Sequence, residues 1–284
     1  MPIQYFTTET PYLSITLPMF RAKCTGWIAL ESLARQKRPN IPWELIIAEE
    51  LEDETFGYSK ISTYFGRLKA KRCVKVTYIP LNIWIPLSVK LALLVNHADP
   101  KSEVFVFHAV DYYSNSKRLC DTIEAFKDPH VYWLIPPKVL KYHVRYLDRI
   151  ILVDKSQTVR RDDTPGKAIR AFYVREAFKS MSRLCKGVDG EVYNVIKKKV
   201  GSSFSFTVLE NVSWKKNLSV EGTGILSDRV VSALFRKPHR WSGAYSLYEK
   251  KLNNIVPQKI VKDLREIYIQ NKNCSKELPY AYKS

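Results

Sequence analysis

The sequence predicts an α/β fold: a mostly parallel, Rossmann-like sheet flanked by helices, followed by a basic, mainly helical C-terminal extension. Three observations carry this prediction. Short apolar runs alternate with stretches of helical periodicity from Tyr12 to Phe126, the pattern of successive βαβ units. The run Trp43–Ala48 is apolar at nearly every position, as a strand buried on both faces requires. A chain of 284 residues with 45% hydrophobic content is long enough for one large domain or two small ones around a packed core.

Taken in order, Tyr12–Leu17 is a short apolar run closed by Pro18 and reads as a strand. Gly26–Gln36 places Ile28, Leu30, Leu33 and Ala34 at helical spacing. Trp43–Ala48 is the second strand and Val74–Tyr78 the third. Ser88–Asn96 is a helix with Ser88 at its start, and Glu103–Phe107 a fourth strand. Lys117–Phe126 is a helix, and Val131–Ile135 and Ile150–Val153 are further strands. Lys155–Lys167 is polar throughout, holds Pro165 and Gly166, and reads as a mobile loop. Ala168–Leu184 and Glu191–Val200 read as helices and Phe204–Leu209 as a strand. From Ile225 the pattern is helical, interrupted by a loop over Lys237–Gly243. The expected division is 1–125, 126–224 and a basic extension over 225–284.

Charge is unevenly spread. The chain carries 46 Lys and Arg against 28 Asp and Glu, a net of +18, and residues 151–284 hold 26 of the bases but only 13 of the acids. Such a half suits a polyanionic partner, a nucleic acid or an anionic membrane surface. The five cysteines, Cys24, Cys73, Cys120, Cys185 and Cys274, form no C-x-x-C pair, which argues against zinc ribbons and thioredoxin-type sites. Their odd number and wide scatter fit a reducing, cytoplasmic compartment. Met1–Thr10 shows no signal peptide. The most apolar run, Leu81–Ala98, contains Pro86, Lys90 and Asn96 and is no membrane span. No membrane anchor is expected.

In open α/β sheets ligands sit beyond the carboxyl ends of the strands. Leu17–Phe20, Glu49–Glu50 and His108–Tyr112 stand at such ends, and Lys90 lies in the helix before the fourth strand. The ordered set SITLPMFRAKCTGWIALESLARQ, PWELIIAEE and YIPLNIWIPLSVKLALLVNHADPKSEVFVFHAVDYYS resembles the nucleotide-sugar-binding half of family 2-type GT-A glycosyltransferases. The resemblance covers about residues 12–125 and, more weakly, 165–200. It implies a GT-A-type sheet and a nucleotide-sugar donor such as a UDP-sugar. It implies that Pro18 and Phe20 line the base and ribose, that Glu49 accepts from the uracil N–H, that Lys90 lies near the donor, and that His108 and Asp111 flank sugar and diphosphate. The plainer readings are a solvated acidic turn for Glu49–Glu50, a satisfied strand-end histidine for His108, and a snorkelling lysine for Lys90.

One departure concerns the metal. The family reads Asp-Ala-Asp-Asp where this chain reads His108-Ala109-Val110-Asp111, and Val110 cannot ligate Mg²⁺ or Mn²⁺. Either His108 and Asp111 together hold the ion, or Lys and Arg side chains neutralise the leaving group alone.

The resemblance also implies an inverting transfer, with a carboxylate base just before a helix of the second half. Asp189 occupies that position, with Glu191 in reserve; Gly187 and Gly190 would allow a tight turn, and the alternative role for Asp189 is an N-cap. Arg160 and Arg161, beside Asp162 and Asp163, lie in the polar loop. Lys215 and Lys216 follow Trp214, and Arg236, Lys237, Arg240 and Trp241 follow Phe235. Bases interleaved with aromatics suit phosphates and exposed nucleobases. In outline the chain is similar to tailed-phage DNA glycosyltransferases, including those that add arabinose or glucose to 5-hydroxymethylcytosine. Two other readings compete: a transferase acting on cell-surface polysaccharide or lipid-linked glycan, and a non-catalytic nucleic-acid-binding protein on a transferase scaffold.

Overall fold

The structure, a computed structural model, describes residues 2–51, 55–110, 112–114, 116–135, 138–143, 146–154, 167–180, 188–201, 207–208, 222–225 and 245–248. Its first half runs β1 (Ile3–Tyr5), β2 (Leu13–Met19), α1 (Gly26–Ala34), β3 (Trp43–Glu50), α2 (Tyr58–Ser62), α3 (Phe65–Ala70), β4 (Cys73–Leu81), α4 (Leu87–His97) and β5 (Val104–Phe107); β2 to β5, α1 and α4 match the predicted elements, whereas β1, α2 and α3 are additional. There follow β6 (Tyr113–Ser114), α5 (Arg118–Ala125), β7 (Trp133–Ile135), β8 (Lys138–His143) and β9 (Tyr146–Asp154). The remaining elements are β10 (Ala168–Arg170), α6 (Ala171–Ser180), α7 (Val188–Val200), β11 (Thr207–Val208), β12 (Gly222–Ile225) and β13 (Tyr245–Tyr248).

The main sheet has the order β1-β4-β3-β2-β5-β10-β7-β11. Its centre, β4-β3-β2-β5, is parallel throughout, while β1 and β10 pair antiparallel to their neighbours. Every residue of β3 is buried because the sheet is covered on both faces. Leu45 and Ile47 enter one core with Leu13, Ile15, Leu17 and α1. Ile46 and Ala48 enter the other with Phe105, Phe107, α4, α6 and α7. A second sheet, β13-β9-β8-β12-β6, is joined to the first through the chain after β5.

Four expectations are corrected. The first strand is not closed by Pro18 but runs through it to Met19. Thr16 turns its carbonyl to β5 and accepts from the His108 N–H at 3.0 Å; Pro18 faces the same way but past the last β5 pairing, Thr16 with Phe107. Its missing N–H therefore costs no ladder bond. Ala168–Arg170 is a strand, not the start of a helix; it fills the gap between β5 and β7, and helix begins only at Ala171. In the stretch expected to be helical from Ile225, the described segment Tyr245–Tyr248 is a strand, not a helix, and pairs with β9. Asp189 is the second residue of α7, inside its first turn, so it is not the N-cap, and Gly190 is helical rather than part of a turn. The expected loop Lys155–Lys167 lies outside the described residues except for Lys167, as do 181–187 and most of 225–284.

Candidate functional site

The carboxyl ends of the parallel strands β2, β3, β4 and β5 lie side by side. Glu49 and Glu50 close β3 with opposite tasks because successive strand residues face opposite sides. Glu49 is fully buried and is consumed by its own chain. Its Oε1 accepts from the Phe56 N–H at 2.6 Å, and its Oε2 from the Gly57 N–H at 3.0 Å and the Tyr78 hydroxyl at 2.9 Å. Burial and the adjoining Glu49 charge push the Tyr78 hydroxyl well above its usual range. Phe56 in turn packs against Gly26 at the start of α1, where a Cβ would come within 2.7 Å of the Phe56 ring.

Glu50 faces Lys90. The Lys90 ammonium lies 2.7 Å from Glu50 Oε1 and donates to the Met19 carbonyl at 3.2 Å. The Ile85 N–H donates to the same Glu50 oxygen at 3.2 Å. Lys90 is 3% exposed, so it does not snorkel; it ties the end of β2 to the end of β3. Its ammonium also stands 5.6 Å from the centre of the Phe20 ring, and the Arg21 guanidinium 5.2 Å from it, both in cation–π range. Glu50 Oε2 is buried and has no hydrogen-bond partner among the described residues. Pro18 and Phe20 are half-buried on the same end. Arg21 takes a left-handed conformation, φ 47°, as the chain turns from β2 toward α1.

His108 follows β5 and is turned inward. It is 4% exposed, its Nε2 lies 3.3 Å from Ser32 Oγ on α1, and its ring meets Tyr112 edge-on at 5.4 Å. Burial, then the charge of Arg118, pull its pKa down to about 3, against a hydrogen bond with the Tyr112 backbone. The ring is neutral at physiological pH. Ser32 extends the contact to a buried polar chain: Gln36 donates to the Ser32 carbonyl and to Ser114 Oγ, each at 3.1 Å, and accepts from the Leu119 N–H at 3.1 Å. Val110 packs against the first core. Asp111 lies outside the described residues.

Two residues emerge to which the resemblance assigns no role. Glu50 is the carboxylate that keeps an unused oxygen, although only its neighbour was assigned a role. Lys167 precedes β10, and its carbonyl accepts from the Phe107 N–H at 2.9 Å. Its ammonium is held among the Phe107 and Trp133 rings, 5.6 and 5.7 Å from their centres. No local signal marks Lys167, because its neighbours in space come from β5 and β7. Asp189 and Glu191 fall in the first turn of α7, where carboxylates are favoured by the helix dipole. Glu191 is half-buried, and Val192 and Ile196 seat the helix in the second core. Arg160, Arg161, Lys215, Lys216, Arg236, Lys237, Arg240 and Trp241 lie outside the described residues. Among the described residues no three His, Cys, Asp or Glu side chains are grouped to hold a metal, and no helix is long and apolar enough to cross a membrane.

No protein-family model matches the sequence, and no curated protein matches it. Solved structures do match in fold. TarS of S. aureus, residues 1–349 in complex with UDP, is 13% identical, with a TM-score of 0.52 over 96% of this chain and 75% of that one. A longer S. aureus TarS structure is 14% identical over 92% of this chain and 40% of that one, TM-score 0.45. The mannosyltransferase PcManGT from Pyrobaculum calidifontis, in complex with GDP-Man and Mn²⁺, is 14% identical over 94% and 72%, TM-score 0.48. The chain thus spans two fifths of the longer TarS structure, and 65% of the 1–349 fragment in another crystal structure. The sheet order and the likeness to the UDP complex define a GT-A-type, Rossmann-like fold. Its structural neighbours include TarS, solved with UDP and with UDP-GlcNAc, a mannosyltransferase solved with GDP-Man and Mn²⁺, and a 4-diphosphocytidyl-2C-methyl-D-erythritol synthase.

Proposed function

We propose that this chain is an inverting glycosyltransferase that moves a sugar from a nucleotide-diphosphate donor, a UDP-sugar, to a hydroxymethylated pyrimidine in DNA. The observation that carries the enzyme reading is the cluster at the carboxyl ends of β2 and β3. Phe20 offers a ring beside two cations, and Glu50 keeps a buried oxygen with no donor among the described residues. A pyrimidine has a flat face to stack and an N–H to give, and this pair of features suits both. Glu50, rather than Glu49, takes the base-reading role, because three groups of the chain itself already fill the Glu49 carboxylate.

In the transfer, the acceptor hydroxyl oxygen forms a bond to the anomeric carbon. The bond from that carbon to the diphosphate oxygen breaks, and its electron pair leaves with the diphosphate. The hydroxyl proton passes to Asp189, with Glu191 in reserve; a positioned base is worth about 10²–10⁴ in rate. The DNA reading rests on charge: residues 151–284 hold twice as many bases as acids, and a polyphosphate chain is the partner such a surface attracts. Arg160, Arg161, Lys215, Lys216, Arg236, Lys237, Arg240 and Trp241 are the residues assigned to it.

The test is mass spectrometry of nucleosides from hydroxymethylated DNA after incubation with a panel of nucleotide sugars. A glycosylated nucleoside is the expected product. Donor turnover only with polysaccharide or lipid-linked acceptors would replace DNA by glycan. Tight, salt-sensitive DNA binding with no donor turnover would leave a non-catalytic DNA-binding protein.

A further inference from the structure

The donor reading leaves open what offsets the negative charge of the diphosphate, and the end of β5 answers it. Mg²⁺ and Mn²⁺ favour oxygen ligands, above all carboxylates. The four residues at that end supply one carboxylate, Asp111. Val110 presents hydrocarbon, and it packs against the first core. The His108 ring is almost wholly buried, at 4% exposure; one nitrogen faces Ser32 at 3.3 Å, and the ring also bonds to the Tyr112 backbone. To reach a metal it would have to give up Ser32, leave its edge-on contact with Tyr112 and turn out of the core. Among the described residues the donor set that a divalent ion needs is therefore not assembled.

Positive charge is nevertheless concentrated at the same ends of the sheet. Arg21 and Lys23 are exposed on the turn between β2 and α1, whereas Lys167, at the end of β5, is buried at 8% exposure against Phe107. A guanidinium or ammonium makes charge-assisted hydrogen bonds to phosphate oxygens. We infer that this chain holds its sugar-diphosphate donor without a divalent cation, the diphosphate charge being met by basic side chains at the carboxyl end of β2. The inference rests on the proposed donor class.

Calorimetric titration of the full chain with UDP, once in excess EDTA and once in excess Mn²⁺, tests it. The two dissociation constants should agree within about threefold. Affinity more than threefold weaker in EDTA overturns the inference while leaving the nucleotide-binding reading in place. No binding of UDP, GDP or CDP under either condition overturns that reading and the inference with it. The variant R21E/K23E, checked for native circular dichroism, should bind UDP at least tenfold more weakly in EDTA. Unchanged affinity overturns the assignment of the charge to the β2–α1 turn.

Discussion

Lys90 and Glu50 form an ion pair at 2.7 Å with both side chains almost wholly out of water, 4% and 1% exposed. The pair joins α4 to the end of β3, and the Met19 carbonyl brings in the end of β2. Removing water from two charges is costly, and breaking such a pair by deleting one partner costs more than replacing both. Lys90→Met should therefore destabilise the protein by about 3–5 kcal/mol in urea unfolding. The double variant Lys90→Met with Glu50→Leu should recover most of that loss. If the double variant is no more stable than the single one, the pair is not what the substitution disrupts.

His108 sets an acid limit on stability. Its folded-state pKa is about 3, against 6.5 for the free side chain. Between those values the unfolded chain binds a proton that the folded chain refuses, so stability falls as pH falls from 6.5 toward 3. The slope due to this group is about 1.4 kcal/mol per pH unit at most. His108→Asn should flatten that limb in denaturation curves taken across the range. A limb of unchanged slope would mean that His108 is not buried as a neutral ring.

Asp189→Asn should leave UDP affinity unchanged and lower the rate of transfer at least about a hundredfold. Glu191→Gln should have a smaller effect. The split between affinity and rate separates a proton acceptor from a residue that merely supports α7, and a full transfer rate in Asp189→Asn would move the base elsewhere.

Charge reversal at Arg236, Lys237 and Arg240 should raise the apparent KM for DNA. It should also reduce the slope of log affinity against log salt by nearly one for each phosphate that the variant no longer neutralises. A salt slope equal to that of the natural chain would remove this segment from the DNA site.

Much of the main sheet was legible because the signal is local. The apolar run that predicts β3 lies within eight residues, and the helical spacing of α1 within nine. The second sheet was largely missed for the opposite reason. Its strands pair Tyr113–Ser114 with Gly222–Thr223 and Tyr245–Tyr248 with Ile150–Val153, partners about a hundred residues apart. Ala168–Arg170 was absorbed into the helix that follows, since three residues are too few to show a period of two. At the site, Glu49–Glu50 and His108 were recognised as strand-end polar groups, but their occupants were not.

By itself the sequence determined the order of the main strands β2 to β5 with helices α1, α4 and α5, the basic bias of the second half, and the loss of one carboxylate at Val110. Periodicity and side-chain chemistry are properties of neighbouring residues, and they survive without a fold. Only the tertiary structure decided that Glu49 is filled by Phe56, Gly57 and Tyr78, that Glu50 holds Lys90, and that His108 turns toward a serine 76 residues away. The reason is that a buried polar atom takes whichever donor or acceptor the closing of the sheet delivers, and that choice is made across the fold rather than along the chain.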